Sequence, residues 1–87
     1  MNDLKEQIAE RNPDAIIFDG LDAALVGFSW RFDMTNPVAL YDYDKCIEIL
    51  IKEGATHEDA TSHMDHNVTG AWLGENTPAF CSMQHHH

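Results

Sequence analysis

The chain has 87 residues, with fifteen Asp or Glu against five Lys or Arg, so its formal net charge is −10 at pH 7. A chain of this length supports a single small domain, which we place at residues 1–84, and the histidines at 85–87 are interpreted as a purification-tag remnant. The negative charge disfavours direct nucleic-acid binding and contact with anionic membranes, and it attracts basic protein surfaces.

The apolar segments and the cysteines indicate whether the protein is a membrane, secreted or cytoplasmic protein. No apolar run approaches the roughly 20 residues of a membrane span, and the polar N-terminal stretch does not have the pattern of a signal peptide. Cys46 and Cys81 are too few for a disulfide framework. We interpret them as small core residues of a protein in a reducing cytoplasm.

The first predicted element is a short helix over residues 3–11. Leu4 and Ile8 lie four positions apart, which places them on one helix face, and Pro13 prevents the helix from continuing. The apolar run at 15–20 ends in a glycine and is either a brief strand or the end of a turn.

Two strands are predicted next. Apolar side chains recur with a period of two in residues 23–32, which predicts a strand. A run of turn residues separates it from a second strand over 38–42. We expect the two strands to form an antiparallel hairpin.

Two aspartates lie at the junction between the second predicted strand and the helix that follows it. Asp42 occupies the N-cap position, where its carboxylate accepts hydrogen bonds from backbone N–H groups two or three residues later. Asp44, in the first turn, suits the positive end of the helix dipole. These structural roles explain both acids without a catalytic carboxylate pair.

The helix after Asp42 is expected to end at Gly54, and a further helix is expected to begin at Thr56, with Asp59 completing a capping box. The apolar stripe of the first of these helices consists of Tyr43, Cys46, Ile47, Leu50 and Ile51. The buried face of the second is predicted to be Ala60, Met64, Val68, Ala71 and Trp72. A last strand at 79–83 closes the sheet.

These elements predict an α+β fold. We expect a small antiparallel sheet of three to four strands, packed against two or three helices. The order of elements is helix, strand or turn, strand, strand, helix, helix, strand.

One helix face carries a candidate metal site. Asp59, His63 and His66 fall at i, i+4 and i+7, a spacing that aligns a carboxylate and two imidazoles. The same spacing is typical of a solvated helix face, and neither an HExxH nor a CxxC motif is present. We therefore expect no cofactor and keep a metal-binding or hydrolytic protein as an alternative.

The remaining carboxylates are too numerous to be buried, so the fold is expected to display a broad negative face. Such an array on a small domain imitates the phosphates of a nucleic acid and competes for a basic groove on another protein. The acids expected to bind the partner are Asp19, Asp22, Asp33, Asp42, Asp44, Glu48, Asp65 and Glu75. The expected aromatic anchors are Trp30, Phe32 and Tyr43.

Two sequence motifs resemble those of known proteins. The patterns YDxDKCIEIL at 41–50 and NVxGAWxGExTPxF at 67–80 resemble a widespread group of small acidic proteins predicted in bacteriophages and prophages. The likeness covers about residues 15 to 81. It implies a phage setting and a compact α+β fold, but no reaction. The usual members carry an apolar or aromatic residue near His63 and His66, a departure that weakens the metal alternative.

Charge, size and resemblance together predict a function. We expect a phage-encoded, non-enzymatic protein that inhibits a host enzyme or defence complex in the host cytoplasm, with an anti-CRISPR-like DNA mimic as the concrete case. The expected partner is a host protein or nucleoprotein complex with a basic surface. Besides the metal alternative, a self-associating structural phage protein remains open, as does a homodimer.

Overall fold

The computed structural model describes residues 4–30, 36–68 and 74–82. A 3-10 turn, Asp22–Ala24, precedes the first strand, and a π-helical turn, Met64–Val68, continues the third helix. The α+β prediction is confirmed. In chain order the main elements are α1 (Leu4–Arg11), β1 (Leu25–Ser29), β2 (Val38–Asp42), α2 (Tyr43–Lys52), α3 (His57–His63) and β3 (Ala79–Cys81).

The sheet is mixed, which differs from the antiparallel sheet expected from the sequence. β1 and β2 form the expected antiparallel hairpin, with Ser29 opposite Val38. β3 pairs with the other edge of β2 in a parallel direction, with Ala79 opposite Leu40. Because α2 and α3 lie between β2 and β3 in the chain, they provide the long crossover that a parallel pair requires.

The central strand supplies the middle of the core. Tyr41 on β2 is fully buried, and its ring centroid lies 5.8 Å from that of Phe18 and 5.9 Å from that of Phe80. Its hydroxyl accepts a hydrogen bond of 2.9 Å from the backbone N–H of Phe18. The segment 15–20 is thus held against the sheet without forming a strand, and it ends in a turn at Asp19 and Gly20.

A buried asparagine ties three segments together. The Asn12 amide nitrogen donates to the Pro37 carbonyl at 3.0 Å and to the Asn76 side-chain oxygen at 2.9 Å. Its own side-chain oxygen accepts from the Asp14 backbone N–H at 3.1 Å. These bonds connect the end of α1 to the start of β2 and to the loop before β3.

The helices differ from the prediction in two details. Ile51 on α2 is 39% exposed, so its assignment to the buried stripe is wrong, whereas Cys46 and Ile47 are buried as predicted. The α-helical part of α3 ends at His63 and passes into the π-helical turn. The side chains of Val68, Ala71 and Trp72 lie outside the described residues. None of the described helices is long and apolar enough to cross a membrane.

Candidate partner-binding site

The two aspartates at the start of α2 have the local roles that the sequence predicted. Asp42 Oδ1 accepts hydrogen bonds from the backbone N–H of Asp44 at 3.0 Å and of Lys45 at 3.3 Å. Asp42 is fully buried, so its assignment to the partner-binding surface is wrong, because an enclosed carboxylate cannot reach a partner. Asp44 is exposed in the first turn.

The other described carboxylates form the exposed acidic surface. Every Asp and Glu of ranges 4–30, 36–68 and 74–82 is exposed, with Asp42 the exception. Two of the predicted acids already have contacts within the protein: Asp22 pairs with Lys5 at 2.7 Å, and Asp65 accepts from the Tyr43 hydroxyl at 2.9 Å. The predicted partner-binding acids that are exposed are Asp19, Asp22, Asp44, Glu48, Asp65 and Glu75.

The predicted aromatic anchors have different environments. Trp30, just after β1, is 41% exposed and is available for contact. Tyr43 is half-buried, and its hydrogen bond to Asp65 raises the pKa of its hydroxyl. Phe32 and Asp33 lie outside the described residues.

A groove of about 380 Å³ opens between the turn at 19–20, the end of α2 and the junction of α3 with the π-helical turn. Its polar lining residues are Asp19, Glu53 and His63, all of which are exposed. The apolar lining residues are Phe18, Leu21, Leu50 and Met64. We call this feature the acidic groove.

The end of α2 positions Glu53 at the groove. Gly54 adopts a φ of +113°, the left-handed conformation that ends helices, and its N–H donates to the Ile51 carbonyl at 3.0 Å. Glu53 is therefore the C-cap residue of α2. A carboxylate at this negative end of a helix dipole is unfavourable by about 0.3–1 kcal/mol.

The neighbouring face of α2 has a different charge pattern. A smaller groove of about 160 Å³ is lined by Glu48 together with Lys45 and Lys52. Because both lysines lie within one helical turn of Glu48, their charges offset its carboxylate. The described lining of the acidic groove, in contrast, contains no Lys or Arg.

The candidate metal ligands are not brought together as a site. His66 Nδ1 lies 2.9 Å from the Ser62 carbonyl oxygen, and the Asp59 backbone N–H donates to the Thr56 hydroxyl at 3.0 Å, which is the predicted cap. Within the described ranges, no three His, Cys, Asp or Glu side chains are arranged to hold a metal ion. His63 contributes instead to the lining of the acidic groove.

The two thiols are held in their protonated form. Burial, aided by the charge of Asp42, raises the pKa of Cys46 to about 11. Burial and the charges of Asp42 and Asp44 also raise the pKa of Cys81. Because the thiolate is the nucleophilic form of cysteine, the raised pKa values lower the reactivity of both side chains near neutral pH.

We expect the free energy of unfolding to fall as the pH rises from 9.0 to about 11. The pKa of Cys46 is higher in the folded protein than in the unfolded chain, so loss of the thiol proton opposes folding. This contribution to stability is fully present below the unfolded-state pKa, and it is lost as the pH rises through the folded-state pKa. Tyr41, whose pKa burial also raises, acts in the same direction. Urea titrations across this range measure the decline. Cys46→Ala should be less stable at neutral pH and decline less steeply, and an equal slope would contradict the assignment.

Comparison of the chain with protein-family models, curated proteins and solved structures finds no match. The resemblance to small acidic phage proteins therefore stays a prediction.

Sequence reasoning missed the acidic groove, because its lining comes from three separate segments. One local signal was present: Glu53 directly precedes the helix-ending Gly54, where a basic residue is the more favourable choice.

Proposed function

We propose that this chain is a phage-encoded, non-enzymatic protein that binds and inhibits a host enzyme or defence complex in the host cytoplasm. The version we favour is an anti-CRISPR-like DNA mimic that occupies a basic nucleic-acid groove. The observation that carries the proposal is the exposure of the described carboxylates, with Asp42 as the exception. A negative field of this kind speeds association with a basic surface by roughly 10- to 1,000-fold and weakens with added salt.

Two further observations favour binding over nucleophilic catalysis. The thiols of Cys46 and Cys81 have raised pKa values and are protonated near neutral pH. The Asp42 carboxylate, the more enclosed of the two acids at the start of α2, serves as a helix cap.

The proposal is tested with purified RNA-guided nuclease complexes from candidate hosts. With the histidines at 85–87 removed, the protein should prevent a susceptible complex from binding its target DNA, and the inhibition should decline as salt is added. Failure to bind any of these basic complexes, even at low salt, would contradict the proposal.

Matched charge variants test whether three of the predicted partner-binding acids are responsible. The triple variant Asp44→Asn, Glu48→Gln, Glu75→Gln should slow association about tenfold at low salt. The control triple Glu6→Gln, Glu10→Gln, Asp14→Asn removes the same charge from α1 and the loop after it. Its association rate should fall less, because only the long-range field changes. Equal effects would mean that Asp44, Glu48 and Glu75 are not part of the contact surface.

A further inference from the structure

We infer that the acidic groove seats an arginine side chain of the partner protein. This inference deepens the proposed function and rests on it for the partner being a basic protein. The lining of the groove includes two exposed acidic residues, Asp19 and Glu53, and its described lining contains no Lys or Arg. The Lys5 ammonium forms an ion pair with Asp22 at 2.7 Å. It also interacts electrostatically with Asp19.

The apolar part of the groove suits the rest of an arginine side chain. Phe18 and Leu50, the partly buried apolar residues of the lining, provide contacts for its aliphatic stem, while the guanidinium reaches the exposed side chains of Asp19 and Glu53. A guanidinium presents five donors in a planar fork that can serve two carboxylates, whereas a lysine ammonium is a compact point charge. The volume of about 380 Å³ is near the lower end of the roughly 300–1,000 Å³ typical of ligand pockets. It therefore fits one side chain and its immediate neighbour.

The position of Glu53 gives this groove a preference for a cation. Glu53 is the C-cap of α2, beside the last carbonyl groups of the helix, so its carboxylate and the negative end of the dipole add together. Within the protein alone this arrangement is unfavourable. With a guanidinium in the groove the arrangement becomes favourable, because the Glu53 carboxylate and the negative end of the helix dipole both attract the positive charge.

The other side of α2 provides a matched comparison. Glu48 belongs to the same helix as the groove, but it lies with Lys45 and Lys52 around the smaller cavity. Replacing Glu48 or Glu53 by glutamine removes one charge from nearly the same part of the fold. Only the Glu53 change removes a carboxylate from the acidic groove.

The test is an NMR titration of the full chain, labelled with nitrogen-15, with the blocked peptide Gly-Arg-Leu-Gly. The arginine peptide should shift the backbone amides of Leu21, Leu50 and Met64. It should bind at least about tenfold more tightly than the same peptide with neutral citrulline in place of arginine. A lysine version should bind with intermediate affinity. Equal binding of the arginine and citrulline peptides, shifts elsewhere, or no shifts at millimolar peptide would overturn the inference.

Variants separate binding from folding. Glu53→Gln should weaken the arginine peptide several-fold while the melting temperature stays the same or rises, because an unfavourable charge at the helix end is removed. Glu48→Gln should leave peptide affinity unchanged. If the two variants lose peptide affinity equally, the effect is one of net charge and the groove assignment fails.

The outcomes are distinct from those for the proposed function. Peptide binding in the groove, without inhibition of any nucleoprotein complex, would retain the arginine site and reject the inhibitor. Inhibition of a complex, without peptide shifts at the groove, would retain the inhibitor and reject the arginine site.

Discussion

Replacing Tyr41 by alanine is expected to destabilise the protein by about 3–5 kcal/mol, the range measured for large aromatic deletions in cores. Tyr41 is fully buried on the central strand, and its ring contacts those of Phe18 and Phe80. Small domains have free energies of unfolding of about 5–15 kcal/mol. At the lower end of that range the variant would be only marginally stable, so its urea midpoint, followed by circular dichroism, should fall sharply.

A second variant separates packing from hydrogen bonding at the same position. Tyr41→Phe keeps the ring and removes only the hydroxyl that accepts from the Phe18 N–H. Its cost should be about 0.5–1.5 kcal/mol, the net contribution of a typical hydrogen bond, because the bond from the Phe18 N–H is only partly buried. If both variants cost the same, ring packing at this position contributes little and the assignment of Tyr41 as the centre of the core is wrong.

Local chemistry made the start of α2 predictable. An N-cap carboxylate accepts hydrogen bonds from the N–H groups two or three residues later, so the position of Asp42 was enough to predict its role. The hydrogen bonds from Asp44 and Lys45 confirm that prediction. The same logic identified Thr56 and Gly54 as the residues that begin and end helices. Each of these features depends on neighbours within one helical turn.

Features that join distant segments were not accessible in this way. β3 has three residues, too few for a periodic pattern to indicate which strand it pairs with or in which direction. Its parallel pairing depends on how α2 and α3 pack as a crossover. The acidic groove likewise requires Phe18, Leu50 and Met64 to meet across three segments.

Asn12 is the clearest example of a missed long-range role. From the sequence it is a polar residue between a helix and Pro13, as expected at a helix end. The structure shows it 4% exposed and bonded to Pro37 and to Asn76, which is 64 positions away. The residues next to Asn12 in the sequence do not indicate these hydrogen bonds, because its partners come near it only when the sheet and loops assemble.

The second large effect is expected for Asn12→Asp, which changes the side chain by one atom. The new carboxylate oxygen would face the Pro37 carbonyl and the Asn76 side-chain oxygen, both of which now accept from the Asn12 amide. An uncompensated charge at a buried site costs about 3–5 kcal/mol. Asn12→Ala, which loses the bonds without adding charge, should cost less, about 1–3 kcal/mol.

Acid should narrow the difference in stability between these two variants. The site raises the folded-state pKa of the introduced carboxyl above its unfolded value of about 3.9, so protonation favours the fold and the penalty grows as the pH rises. Urea titrations at about pH 7 and about pH 4 should show Asn12→Asp approaching Asn12→Ala at the lower pH. Asn76→Asp is the matched control: it should be nearly neutral, because its carboxylate still accepts from Asn12. Equal costs for the two aspartate variants would show that the direction of this hydrogen bond does not matter to stability.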